Sequence, residues 1–153
     1  MIFSHYFPLQ IPTVRESLLQ YTGPAIATTT SVSAQVPLNT LFYGENWLSG
    51  NVMQVPLTGT YQIIAYARWV QSTTNSRLLR LLRNGSTIMF HAFRATNGGF
   101  SGGIIDQGDT QAIFFPQLTA NDLIRLDVEQ NSGGALNLAT TERKPFLYAR
   151  FLG

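Results

Sequence analysis

Cysteine is absent from this chain, and with it go disulfide frameworks, thiolate metal sites and thiol nucleophiles. Charge is nearly as scarce. Only 12% of residues are Asp, Glu, Lys or Arg, against roughly 25% in an average soluble domain, and Lys144 is the sole lysine. A formal charge of +2 builds no field that would grip a phosphate backbone, so nucleic acid is not an expected partner. Thr, Ser, Asn, Gln and Gly must cover most of the surface, which suits a protein held in an assembly or one that meets a neutral ligand. The two histidines, His5 and His91, offer no HExxH or His-x-His spacing. A Ser/His/Asp site would need His91 as base, and no particular serine points to it. No enzyme activity, metal or cofactor is expected. Long apolar runs are missing too. The opening MIFSHYFPLQIPTVRES has no basic leader, and His5, Pro8 and Pro12 interrupt its apolar residues, which argues against a secretory signal, a membrane span or a membrane partner.

What the chain does have is apolar side chains, 44% of 153 residues, enough for one domain with a real core. The most informative stretch is VPLTGTYQIIAYARW, where Pro56 and Gly59 punctuate a turn into a long strand. Tyr61, Ile63, Ala65, Ala67 and Trp69 share one face, while Ile64, Tyr66 and Val70 occupy the other. Both faces want cover. A small antiparallel domain hides one against its own second sheet, and the other is most simply hidden against another copy of the chain.

The remainder reads as short strands and turns. TTTSVSAQV gives a polar β-branched strand, Leu41 to Tyr43 a short one, VMQV another, and a loop carries Trp47. In RLLRLLRNGSTIMFHAF, Arg77, Arg80 and Arg83 are spaced for a helical stripe, but Asn84-Gly85 is a strong hairpin signal and is preferred. His91 then lies in the second strand of the hairpin as a structural residue. ATNGGFSGGIIDQGD is too rich in glycine for regular structure. TQAIFFPQL is a second strand with two apolar faces. LTANDLIRLDVEQ alternates Ile124, Leu126 and Val128 against Arg125, Asp127 and Glu129, and FLYARFLG is a final strand. Residues 1–27 differ from the rest: Phe3, Tyr6, Phe7, Leu9 and Ile11 alternate loosely with polar residues and prolines, and RESLLQY suits a helical turn. An extended N-terminal arm that lies on a partner is expected there, ahead of a domain over residues 28–153.

Three weaker signals have plain structural readings. Asp106, Gln107 and Asp109, or Asn121 with Asp122, could offer hard oxygen ligands to calcium, but turns rich in Asp and Gly are usually only turns. Asn84-Gly85-Ser86 spells a glycosylation sequence that the hairpin already explains. Trp47 and Phe100 are of the type that stacks on sugars, and also of the type that plugs the end of a sandwich.

In order and spacing these segments resemble the jelly-roll domains of the complement globular head and tumour necrosis factor superfamily, over residues 33–153. VPLTGTYQI fits the V-P-x-x-G-x-Y turn that leads into a long strand, and LLRLLRNG fits the strand ending in Asn-Gly. FPQLTANDLI fits F-x-L-x-x-G-D-x-I with Asn121 in place of glycine, and FLYARFLG fits the closing strand with Ala149 as its small residue. The resemblance implies an all-β antiparallel sandwich that trimerises about a threefold axis, with aromatics of the inner sheet along that axis. Parity then assigns Ile64, Tyr66, Arg68, Ile113, Phe115, Phe146, Tyr148 and Arg150 to the trimer interface. Similar jelly rolls serve phages as decoration proteins and fibre tips. The expected function is therefore a homotrimeric capsid decoration or cement protein, made in the host cytoplasm and carried on the virion, which binds the major capsid protein through the arm. A fibre tip that recognises a cell-surface glycan and a soluble cytokine-like ligand are the alternatives.

Overall fold

The computed structural model describes residues 14–28, 32–69, 75–96, 109–131, 136–138 and 143–153. Among these, all regular structure is strand: β1 (Glu16–Gln20), β2 (Ala27–Thr28), β3 (Ala34–Gln35), β4 (Thr40–Gly44), β5 (Leu48–Ser49), β6 (Val52–Gln54), β7 (Gly59–Arg68), β8 (Asn75–Arg83), β9 (Thr87–Thr96), β10 (Asp109–Phe114), β11 (Gln117–Leu118), β12 (Leu123–Asn131), β13 (Leu136–Asn137) and β14 (Phe146–Phe151). The first sheet runs β10-β7-β14-β1-β4, with β11 also beside β7. The second runs β5-β6-β12-β8-β9, with β3 also beside β12, and β13 pairs with β2. Successive strands repeatedly change sheet, so each sheet is assembled from segments far apart in sequence.

The two sheets face each other across one core. Tyr61, Ile63, Ala65 and Ala67 of β7, with Leu147 and Ala149 of β14, meet Leu79, Leu81, Ile124, Leu126 and Val128 of the second sheet, all fully buried. Each Leu, Ile or Val among them stabilises the fold by about 1.5–3 kcal/mol relative to exposure, so this layer dominates the stability. Trp69 extends it, with the buried Arg77 guanidinium 5.8 Å from its ring. Trp47 meets Tyr61 edge-on at 6.0 Å, and Phe90 stacks on Phe114 at 5.3 Å. The Pro56–Gly59 turn needs its glycine: a Cβ on Gly59 would lie 2.6 Å from the Phe151 ring and 2.8 Å from the Gly153 carbonyl oxygen. The Asn84-Gly85 hairpin is present, with both residues at positive φ (52° and 81°), as a right-twisted two-strand turn requires.

Several expectations change. RESLLQY makes no helical turn: residues 16–20 are β1, inserted between β14 and β4 with Ser17 and Leu19 turned into the core. The domain therefore begins before residue 28, and the arm boundary moves towards the N-terminus; residues 1–13 lie outside the described residues. Of TTTSVSAQV, Thr28 ends β2 and Ala34–Gln35 form β3, while residues 29–31 lie outside the described residues. Pro116, with no N–H to give, splits TQAIFFPQL into β10 and β11 on one continuous register against β7. Asp127 is buried rather than solvated, because it accepts both Arg125 Nε and a terminal nitrogen at 2.7 Å and the Ser33 hydroxyl at 3.2 Å. Most of the glycine-rich stretch, residues 97–108, lies outside the described residues.

Candidate functional site

The outer face of the first sheet is built by register. Ile113 of β10 stands opposite Ile64 of β7, Ile64 opposite Tyr148 of β14, Tyr148 opposite Leu18 of β1, and Leu18 opposite Tyr43 of β4. One line of apolar and aromatic side chains therefore crosses all five strands. The next line holds Gln111, Tyr66, Phe146, Gln20 and Thr40. On the other side lie Gln62, Arg150 and Glu16. Phe115 keeps the outward parity one residue beyond β10. The pairing of β1 with β4 shifts between Leu18 and Leu19, leaving Phe42 as the extra residue. Such a bulge re-aims side chains, and Leu41, Phe42 and Tyr43 are all exposed as a result.

Much of this belt meets water: Ile113 is 51% exposed, Tyr43 58%, Phe115 61% and Phe42 68%. Tyr66 is not, at 6%, because its ring stacks on Phe146 with centroids 5.2 Å apart and planes 17° apart. Glu16 sits between two phenols. The Tyr148 hydroxyl donates to Glu16 Oε2 at 2.5 Å, and burial followed by this carboxylate pushes the Tyr148 phenol up to about 12. Tyr43 also bonds Glu16, and its phenol is raised for that reason first. Towards the other end a recess of about 520 Å³ is lined by the rings of Phe42, Tyr66 and Phe146 and by Arg143 and Lys144.

The second sheet differs in kind. Among its described residues Arg80 pairs with Glu129, Arg83 with Asp122 and Arg125 with Asp127, each at 2.7 Å. Of the three arginines spaced as a helical stripe, Arg77 thus enters the core while Arg80 and Arg83 pair on the surface.

Solved structures with this arrangement carry little sequence likeness. The chain is similar to Eiger TNF from S. frugiperda, at 13% identity over 92% of this chain and 93% of that one with a TM-score of 0.63. It is similar to murine APRIL, at 14% identity over 90% and 100% with a TM-score of 0.65. The globular domain of zebrafish complement 1qA matches at 10% identity over 90% and 96% with a TM-score of 0.55. The fold is the tumour necrosis factor-like jelly roll. No protein-family model matches the sequence, and no curated protein does.

Within the jelly roll, Ile64, Tyr66, Ile113, Phe115, Phe146 and Tyr148 lie on the outer face of the first sheet. Arg68, nearly buried, ends β7 opposite Asp109 in register, and the exposed Arg150 lies opposite Glu16. Leu18, Phe42 and Tyr43 join this face although their sequence gave no sign of it, since β1 reads as a helical turn and the bulge in β4 has no sequence mark. Phe3, Tyr6, Phe7, Leu9 and Ile11 lie outside the described residues, as do His5, Phe100, Asp106 and Gln107. Of His91 and Asp109 only the backbone, in β9 and β10, is described. Trp47 is a sandwich plug: it is buried, and its indole nitrogen donates to Glu45 Oε2 at 3.0 Å. Arg15 and then Trp47 hold the Glu45 carboxyl down at about 2. Asp122 is consumed by its turn, accepting the Thr119 N–H at 2.7 Å, Asn84 Nδ2 at 2.9 Å and Arg83 at 2.7 Å. These donors, first the Thr119 N–H, outweigh burial and lower its carboxyl pKa. Among the described residues no three His, Cys, Asp or Glu side chains gather as metal ligands.

Proposed function

We propose that this chain is a non-enzymatic binding module that forms a homotrimer through the outer face of its first sheet. The observation that carries this reading is the contrast between the sheets. One carries three ion pairs among its described residues, while the other presents a continuous line of apolar and aromatic side chains from Ile113 to Tyr43. Exposed apolar patches of that extent mark interaction surfaces. Three copies are favoured over two by the resemblance to jelly rolls that trimerise about a threefold axis. Sedimentation equilibrium at micromolar concentration tests it, and a monomer mass with a cooperative melt refutes it.

As to setting, the reading is a virion decoration protein whose trimer binds the major capsid protein of a phage. It is supported by the weakly charged composition and by the aromatic residues Phe3, Tyr6 and Phe7 ahead of β1, which suit a tether. A chain truncated at residue 13 keeps β1 and should remain trimeric, yet fail to co-sediment with undecorated capsids. A soluble ligand of the cytokine type is the second reading, favoured by the similarity to Eiger TNF and murine APRIL. It predicts saturable binding to animal cells and none to capsids.

A further inference from the structure

The turn between β8 and β9 holds an Asn-Gly pair whose carboxamide is clamped at both atoms. Asn84 Nδ2 donates to Asp122 Oδ1 at 2.9 Å, and Asn84 Oδ1 accepts the Leu123 N–H at 2.9 Å. The Asn84 N–H also donates to the Leu123 carbonyl at 2.8 Å. Asp122 is itself 6% exposed and fixed by Thr119 and Arg83. Gly85, by contrast, faces open space, with nothing within 4 Å of where a Cβ would stand.

An Asn followed by an unshielded Gly invites a specific reaction. The Gly85 backbone nitrogen loses its proton and attacks Asn84 Cγ. A C–N bond closes a succinimide as the bond to Nδ2 breaks and ammonia leaves. Water then adds to either imide carbonyl, giving Asp or isoaspartate at position 84 with no oxidant or reductant involved. In the folded protein the carboxamide must first leave both partners before Cγ can swing onto the Gly85 nitrogen.

We propose that Asn84-Gly85 is a latent deamidation site gated by the Asp122–Leu123 clamp. The gate works in one direction. A carboxylate at position 84 has no hydrogen to give Asp122 and sets a second negative charge beside it, with Arg83 as the neighbouring cation already engaged. Conversion therefore keeps the hairpin end from latching again onto the Thr119–Asp122 turn.

The test incubates the folded protein and the urea-unfolded chain side by side at mildly alkaline pH, with peptide mapping and isoaspartyl methyltransferase labelling at position 84. Conversion in the folded protein should be slower by about tenfold or more, the effect of two hydrogen bonds that must open. Asp122→Ala removes one of the two bonds and should recover part of that rate in the folded state, about fivefold, whereas Asp122→Asn, which keeps an acceptor oxygen, should stay slow. Asn84→Asp, which imitates the product, should melt below the parent protein. Equal rates in the folded and unfolded parent chain overturn the proposal, and so does a folded Asp122→Ala protein that converts as slowly as the parent. If Asp122→Ala does not fold, the comparison of folded and unfolded parent protein decides alone.

Discussion

Replacing Ile113 and Phe115 together by serine tests the assembly face without touching the core. Both side chains are more than half exposed in the single chain, at 51% and 61%, so an isolated protomer should lose only their buried remainder, about 1 kcal/mol each. In a trimer that covers them, the exposed part of each is worth about 1–1.5 kcal/mol, from the 1.5–3 kcal/mol of a fully buried side chain. Across both residues and three copies this comes to about 6–9 kcal/mol. For a three-body equilibrium, where the midpoint follows the square root of the dissociation constant, that raises the concentration of half-dissociation about 100- to 2,000-fold. Sedimentation across a dilution series reads the shift directly. The control is Ile88→Ser, which removes an equally exposed side chain (52%) near the hairpin of the second sheet and should shift nothing. Equal shifts from the two proteins, or none from the double variant, refute the assignment of this face. Tyr66 is a poorer probe: stacked on Phe146 and 6% exposed, it would unsettle the fold along with any assembly.

Glu45, held at about 2 from an ordinary 4.5, stabilises the fold fully above 4.5 and loses that contribution as pH falls towards 2. Because the pair is over a third exposed, the effect should stay below about 1 kcal/mol, and Arg15→Gln should flatten the acid limb of a urea-midpoint profile by that much. Tyr148, raised from 10.0 to about 12, resists ionisation in the fold, so its contribution is present below 10 and fades as pH climbs to 12. Ultraviolet titration of phenolate should show this late group, and Glu16→Gln should return it only part of the way, since burial remains the larger cause. Gly44→Ala should cost on the order of 3 kcal/mol, because φ is +85° and the new Cβ would stand 2.2 Å from the Glu16 carbonyl oxygen. Urea denaturation measures that loss, and a change under about 1 kcal/mol would show that β1 and β4 can separate cheaply.

The long strand was legible because two-residue periodicity over Tyr61 to Trp69 survives every local ambiguity, and a strand with two apolar faces declares which side seeks a partner. Asn84-Gly85 was legible because left-handed backbone at both turn positions selects those residues. β1 was not: Leu18, Leu19 and Gln20 are good helix formers, and their strand state depends on β14, more than a hundred residues away. The burial of Asp127 also escaped, since alternation predicts only direction. What covers it is Arg125, two residues along the same strand, and Ser33 from a distant segment. The bulge at Phe42 left no trace in composition, so the exposed edge of the candidate face emerged only with the register.

β14 lies between β7 and β1 in the first sheet and follows every other strand of that sheet in the chain. During synthesis, then, β1, β4, β7 and β10 all leave the ribosome before the strand that joins them exists. The second sheet waits in the same way for β12, which joins β6 to β8, but β12 is made before β14. The surface from Ile113 to Tyr43 is consequently not continuous until β14 has been made and paired with both β7 and β1. A product stopped short of residue 146 would carry two unpaired strand edges in place of that surface, and its fate would be aggregation or proteolysis.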